Sequence, residues 1–357
     1  MTPKKILIFS RAYQNMAGGV EKMSLDLARG LSERGHSVAV MSLDNHLDQP
    51  FFEWPPSIQW IKIGIGDPSK RASFVARCQR LKSIRAAAKE IRPDVGIGFQ
   101  VGSYALLRFA TLGLGIKTIA AERNSPDLFG YIRNGKIKRF FSNIILLTAY
   151  RVAVQFKNYR LKYPIWLRPK IVVTPNWVME VFHSKSQDTK LGFSILFVGR
   201  LTFQKNVNVL LDAMSLLPDD FRLTIIGDGP ELEDLRARAE LLPHLIEFEP
   251  PMLDLSSAYQ NASVLCMPSR WEGFPNVVAE SLSYGLPVVG FRLCSGIPEL
   301  IEEGFSGIIA EGMNDPKTLA NALLRASKTD FPNLRISEAM KKYSFRNFID
   351  HWEESLT

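Results

Sequence analysis

Short apolar runs followed by amphipathic stretches recur in two series along this chain, and that alternation narrows its possible folds more than any other feature. Residues 5–10 are apolar and strand-like, a glycine-bearing loop follows, residues 20–34 carry apolar side chains at helical spacing, and residues 37–42 are apolar again. Strand, helix and strand in that order predict a parallel pair, because parallel strands need a long crossover and a helix usually supplies it. Residues 94–100, 117–121 and 171–174 read as further strands of the same sheet. A polar stretch at 183–190 reads as a linker, and then the alternation restarts. Strands are expected at 193–198, 222–226, 264–267, 286–290 and 307–310, with helices at 206–217 and 231–241. At 357 residues, two domains of roughly 150 residues each are the natural division. The expected fold is therefore α/β, with two Rossmann-like, doubly wound domains. Their expected limits are 1–178 and 179–342, with a closing segment at 343–357 that packs back on the first. In such sheets ligands bind beyond the carboxyl ends of the strands, so the loops after strands are where chemistry is sought.

Composition removes several classes of function. Cys78, Cys266 and Cys294 are dispersed without a C-x-x-C pair, which excludes a disulfide framework and a thiolate-rich zinc site. The five histidines show no ligand spacing, so no protein-built metal site is expected. The apolar run after Lys4 and Lys5 is too short for a signal peptide and is closed by Arg11. With no apolar stretch long enough to span a bilayer, a cytoplasmic location is expected.

The net charge of +8 conceals a division. Residues 1–180 hold 28 Lys and Arg against 12 Asp and Glu, whereas residues 181–357 hold 16 against 24. Residues 128–179 contain ten basic residues and no acidic one, and residues 68–89 contain seven, again without an acid. Such a face attracts phosphate, and an anionic membrane surface is one source of it. Residues 133–151 interleave cations with aromatic and aliphatic side chains, which suits either an interfacial segment or a core helix of the first domain.

The most specific chemical signal is Glu272-Gly-Phe-Pro-Asn-Val-Val-Ala-Glu280, which follows the strand at 264–267. Pro275 suits the first turn of a helix, so Gly273 and Phe274 would present backbone N–H groups to phosphate oxygens at its start. Glu280, over a turn inside, could accept hydrogen bonds from vicinal hydroxyls such as those of ribose. Glu272 could do the same for sugar hydroxyls. Two isolated glutamates would more often be solvated surface groups, but here glycine and proline stand where the turn requires them. Arg200 and Lys205 follow one strand, and a fixed guanidinium with an ammonium could neutralise a departing diphosphate. Gly18-Gly19 opens the first helix, where glycine allows positive φ and close backbone approach. No G-x-G-x-x-G follows the first strand, which argues against a dehydrogenase.

Glu272 to Glu280 resembles, at full spacing, the E-x7-E motif of the family 4 retaining glycosyltransferases. Gly199-Arg-Leu-Thr-Phe-Gln-Lys-Asn206 is similar to that family's G-R-x-x-x-x-K-N segment, and Gly227-Asp-Gly-Pro230 to its G-x-G-P turn. Gly18-Gly-Val-Glu21, Thr174-Pro-Asn-Trp-Val178, and Leu286-Pro-Val-Val-Gly290 with Pro298-Glu-Leu300 resemble its remaining segments in the family's order. The resemblance implies a GT-B fold of two facing domains with a central cleft, the donor on the second and the acceptor on the first. It also implies metal-free transfer of a hexose or N-acetylhexosamine from a nucleoside diphosphate sugar, with retention, as in bacterial polysaccharide and lipid-linked-glycan synthesis. A UDP-sugar donor is favoured, and no cofactor is expected. Glu272, Arg200 and Lys205 then become the catalytic residues. Donor contacts are expected from Gly18, Gly19, Arg123, Asn124, Met252, Gly273, Phe274, Asn276, Val277 and Glu280.

Glu122-Arg-Asn124 follows the strand at 117–121 and should project into the cleft. Many family members carry a histidine there, and Arg123 stands in its place. Asp219, Asp220 and Asp228 are read as turn residues, His183 and His244 as lying near loop-like segments without a partner pattern, and Cys78 as an inert thiol. Two other readings compete. A nucleotide-sugar 2-epimerase of the same fold is disfavoured by the intact E-x7-E and G-R…K-N segments. A non-catalytic nucleic-acid binder is disfavoured by the lack of a stacking signature, so nucleic acid is not an expected partner.

Overall fold

The computed structural model describes residues 2–14, 18–70, 72–181 and 192–357; the polar stretch 183–190 lies outside them. The chain forms two compact units, Met1–Asn176 with Arg346–Thr357, and Trp177–Phe345. In the first, seven parallel strands lie in the order β3-β2-β1-β4-β5-β6-β7. They are β1 (Lys5–Phe9), β2 (Ser37–Ser42), β3 (Gln59–Lys62), β4 (Val95–Phe99), β5 (Lys117–Ala121), β6 (Arg151–Val154) and β7 (Ile171–Val173). The inner strands are buried along nearly their whole length. That is why they read as continuous apolar runs: helices cover both faces of a parallel sheet. Leu7, Phe9, Met41, Ile84 and Leu107 form one core under the helices Phe74–Ile91 and Gln100–Ala110.

The second unit repeats the plan with six parallel strands in the order β10-β9-β8-β11-β12-β13. They are β8 (Ser194–Val198), β9 (Arg222–Ile226), β10 (Ile246–Glu249), β11 (Val264–Met267), β12 (Val288–Phe291) and β13 (Gly307–Ala310). In both sheets the strand order reverses beside the first strand, between β1 and β4 and between β8 and β11. Strands β3, β6 and β10 were not expected from the sequence. Gln59 and Lys62 are polar ends of an edge strand, and Ile246-Glu-Phe-Glu249 alternates as an edge strand does. Strand β12 starts at Val288 because Pro287 has no N–H to give the ladder. The helix expected at 206–217 runs Val207–Met214, since Asn206 adopts a left-handed φ of 58° ahead of it.

The unit boundaries differ from those expected because Trp177–Val178 and Tyr343–Phe345 hold each other. Val178 N donates to the Tyr343 carbonyl at 2.9 Å, and the Trp177 and Phe345 rings meet edge to face at 5.1 Å. The residues that follow, Arg346–Thr357, join the first unit. There Trp352 is fully buried against Phe99, and Arg34 pairs with Asp350 at 2.6 Å and Glu353 at 2.9 Å.

Arg123, expected at the sugar, is placed by the structure at the fastening point of this return. It is buried, with its guanidinium over the Trp352 ring at 5.0 Å. One terminal nitrogen donates to the Thr174 carbonyl and the other to Thr174 Oγ1, each at 2.7 Å. Burial lowers its pKa while the neighbouring Glu122 carboxylate opposes the shift. Burial likewise pushes the Glu122 carboxyl up to about 7, against the pull of the Val101 backbone and Arg123. Both side chains are thus used inside the first unit, whereas Asn124 is exposed. Replacing Arg123 with Ala should cost about 2–4 kcal/mol in urea unfolding, two charge-assisted hydrogen bonds being lost. Arg123→Lys should recover little, because the ammonium lacks the planar fork that spans both Thr174 oxygens. A loss below about 1 kcal/mol would show that the return is fastened elsewhere.

Candidate active site

Where the strand order of a doubly wound sheet reverses, the loops after the two central strands part and leave a crevice. In the second unit those loops follow β8 and β11, and they carry the two strongest motifs of the sequence. Their fastening is specific. Arg270 N donates to the Gln204 carbonyl at 2.8 Å, and Gln204 Nε2 returns a bond to the Trp271 carbonyl at 2.9 Å. Buried Asn206 Nδ2 donates to the Pro268 carbonyl at 3.1 Å and to Asn314 Oδ1 at 2.8 Å. The Arg270 guanidinium lies over the Phe203 ring at 4.2 Å.

Between these loops Lys205 Nζ meets Glu272 Oε1 at 2.8 Å, both side chains being largely withdrawn from water. Arg200 differs: it is exposed and has no hydrogen bond or ion pair among the described residues. With Met252 it lines a pocket of about 400 Å³, whose other walls include Gly227, Asp228, Gly229, Pro251 and Leu255. The two glycines are there because backbone passes too close for a side chain. A Cβ on Gly227 would stand 2.0 Å from the Gly199 carbonyl oxygen, and one on Gly229 2.3 Å from that of Leu201. The G-D-G-P turn therefore presses the β9 loop onto the β8 loop and shapes the pocket. Asp228, read as a turn residue only, lines that pocket while its Oδ1 accepts from Gly229 N at 2.7 Å.

The helix of the E-x7-E segment runs Asn276–Ser283, one residue later than Pro275 suggested; Pro275 caps it with φ −76° and ψ 85°. Gly273 and Phe274 thus lie ahead of the cap. Phe274 is buried with its ring edge to face with Tyr343 at 5.6 Å, and Asn276 and Val277 are half-buried at the helix start. Glu280, in the second turn, receives a hydrogen bond at 3.0 Å from the hydroxyl of buried Tyr259. Tyr259 packs on Tyr284 at 5.2 Å, and Tyr284 is held by Ser256 at 2.6 Å. Burial, with the Glu280 charge beside it, raises the Tyr259 pKa well above its usual value, so the phenol remains a donor. Nothing in the sequence links Tyr259 to Glu280; only the pairing of the short helix Ser256–Asn261 with the next one does.

The remaining expected residues belong to the first unit. Gly18 caps the helix Gly19–Glu33 in an extended conformation, φ −94°, so positive φ is not why glycine stands there. A Cβ on Gly18 would fall 2.1 Å from Glu21 Oε2. The buried Glu21 carboxylate therefore occupies this helix start. Among the described residues no cluster of three His, Cys, Asp or Glu side chains could hold a metal ion.

The described geometry offers an uncompensated guanidinium, a buried ammonium shared with a carboxylate, and a helix start, all on loops at the reversal of one sheet. Residues 192–329 match the family of glycosyl transferases group 1. An uncharacterized glycosyltransferase of Haemophilus influenzae is 25% identical over 94% of this chain and 96% of its own length. A GalNAc-alpha-(1->4)-GalNAc-alpha-(1->3)-diNAcBac-PP-undecaprenol alpha-1,4-N-acetyl-D-galactosaminyltransferase of Campylobacter jejuni is 24% identical over 86% of this chain and 85% of its own. The solved structure of Anabaena Alr3699/HepE in complex with UDP and glucose superposes with a TM-score of 0.80 at 15% identity, covering 99% of both chains. With its two parallel Rossmann-like sheets, the chain is a glycosyltransferase of the GT-B fold, and its residues 192–329 are similar to the group 1 glycosyl transferases.

Proposed function

We propose that the protein transfers a hexose or N-acetylhexosamine from a nucleoside diphosphate sugar, a UDP-sugar before others, to a hydroxyl of a glycan or lipid-linked glycan in bacterial cell-surface polysaccharide synthesis. The observation that carries this reading is the uncompensated Arg200 beside the Lys205–Glu272 pair at the sheet reversal. As the anomeric C–O bond breaks, negative charge gathers on the leaving diphosphate. Arg200, Lys205 and the start of the helix Asn276–Ser283 are fixed groups of the opposite polarity. The acceptor oxygen bonds to the anomeric carbon on the face the diphosphate leaves, and the acceptor proton passes to a phosphate oxygen of the leaving group. Configuration is retained in this scheme, and neither a metal nor an enzymic base takes part. Glu272 orients Lys205 and accepts from a sugar hydroxyl, Glu280 accepts from ribose hydroxyls, and the pocket lined by Met252 holds the base. The UDP bound to the Anabaena protein supports a UDP-sugar, and the undecaprenol acceptor in the Campylobacter relative's name supports a lipid-linked one. In this reading the protein works in the cytoplasm, peripherally on the anionic inner face of the plasma membrane. No helix among the described residues is long and apolar enough to cross a membrane.

Donor-dependent labelling of a glycan acceptor, with donors chosen by a thermal-shift panel of nucleotide sugars, tests the proposal directly. Arg200→Ala should lower turnover by roughly two to three orders of magnitude, the scale of losing one fixed transition-state stabiliser. EDTA should leave turnover intact; strict dependence on Mn²⁺ or Mg²⁺ would defeat the metal-free scheme.

A second prediction separates binding from chemistry. Tyr259→Phe keeps the ring but removes the hydrogen bond that orients Glu280, so donor KM should rise by about threefold to tenfold with little change in kcat. Glu280→Ala should raise KM further, by about 1–3 kcal/mol in binding. An unchanged KM in both variants would remove Glu280 from the donor site.

A further inference from the structure

The helix Gly135–Leu147 presents its apolar side to solvent. Ile137 and Phe140 are each 59% exposed, Phe141 is 60% exposed, and Ile144 and Leu147 are exposed as well. At about 100° per residue these five side chains fall within an arc of about 120°, with Lys136 and Lys138 at its two edges. Buried Gly135, Asn143 and Leu146 lie on the opposite side, so a narrow strip without aromatic residues holds the helix to the unit. A helix on a water-facing surface normally does the reverse, turning its apolar stripe inward. Of the two roles open to this segment, that of a core helix is thereby ruled out.

The surroundings continue the pattern. Arg139 donates to the Lys162 carbonyl and brings the turn Lys157–Lys162 against the helix, with Leu161 exposed beside it. Ile165 and Trp166, a few residues on, are exposed too. Across residues 128–179 every charged side chain is a cation. Apolar side chains flanked by Lys and Arg, with Asp127 already paired to Lys162, match a surface of anionic head groups above acyl chains.

We infer that this helix lies in the plane of an anionic bilayer and sinks Ile137, Phe140, Phe141 and Ile144 below the head groups, while Lys136 and Lys138 meet lipid phosphates. The inference rests on the peripheral location proposed above and names the surface that makes the contact. At about 20 Å for thirteen residues, the helix is long enough for several head groups to meet its two basic edges.

The test is flotation of the full-length protein with vesicles of phosphatidylcholine alone, and of phosphatidylcholine and phosphatidylglycerol in equal parts, at low and high salt. Binding is expected to the mixed vesicles at low salt, to be weakened by salt, and to be small with phosphatidylcholine alone. Phe140→Ala with Phe141→Ala, and separately Lys136→Glu with Lys138→Glu, should each reduce the bound fraction about tenfold or more. Their melting temperatures should match the wild type, because the side chains removed are exposed. Tryptophan fluorescence of Phe140→Trp should shift to the blue and be quenched by brominated acyl chains. No binding to the mixed vesicles at low salt, or binding indifferent to both double variants, would overturn the inference. So would a phenylalanine double variant that melts well below the wild type, or one that merely dissociates a dimer. Vesicle binding is read without donor or acceptor. Failure of every nucleotide sugar to raise the melting temperature would therefore count against the transferase mechanism and leave this surface standing.

Discussion

Lys205 and Glu272 stand 67 residues apart in sequence and meet at 2.8 Å because β8 and β11 are neighbours in a parallel sheet. The contact depends on a strand order that departs from chain order: β9 and β10 are sent to one side, and β11 returns to the other side of β8. Once that reversal is made, the loops after the two strands leave the sheet side by side, and polar groups at their tips can be matched. Gln204, Asn206 and Arg270 do the matching through backbone carbonyls, so the fastening is independent of the charges it positions. The ion pair is therefore held by a frame that would persist without it.

A pair with so little access to water is not a strong source of stability, because desolvating both charges offsets most of their attraction. Its worth is positional. Glu272 keeps the Lys205 ammonium at the loop junction, and in the proposed mechanism an arriving diphosphate finds it already in place. Removing Glu272 alone leaves a poorly solvated cation, and removing Lys205 leaves a poorly solvated carboxylate. Arg200, exposed and uncompensated, carries no such penalty and keeps its whole charge for an anion.

What could be read from the sequence were features written in contiguous residues. The E-x7-E segment, the G-R…K-N segment and the buried strands lie within single loops or runs, and local spacing announces them. The edge strands β3 and β10 were missed because half-solvated strands lose the continuous apolar signal. The packing of Arg123 was not legible for a different reason. A cation after a buried strand reads as a cleft residue, but the partners that claim it, Thr174 and Trp352, arrive from distant parts of the chain. Tyr259 was passed over in the same way, since its contact with Glu280 comes from neighbours brought by the sheet. The turn of the helix Gly135–Leu147 could not be settled from residues alone, because the same apolar run serves a core helix and an interfacial one.

The charge division between residues 1–180 and 181–357 points toward anions without saying where they bind. Screening at physiological salt confines each cation's influence to about 8 Å, so the total charge of the basic half matters less than its local arrangement. Two acid-free basic stretches could compete for a lipid surface. In the helix Phe74–Ile91, the exposed large apolar side chains are Phe74 and Val75, adjacent residues at its first turn. Adjacent residues point about 100° apart on a helix and form no stripe. The helix Gly135–Leu147 repeats exposed apolar residues at the three- and four-residue spacing that keeps them on one side. Cations supply attraction at a distance, and only a stripe of apolar side chains can convert it into insertion. On that ground the proposed docking falls to the second basic stretch, and the first would contribute at most to the approach.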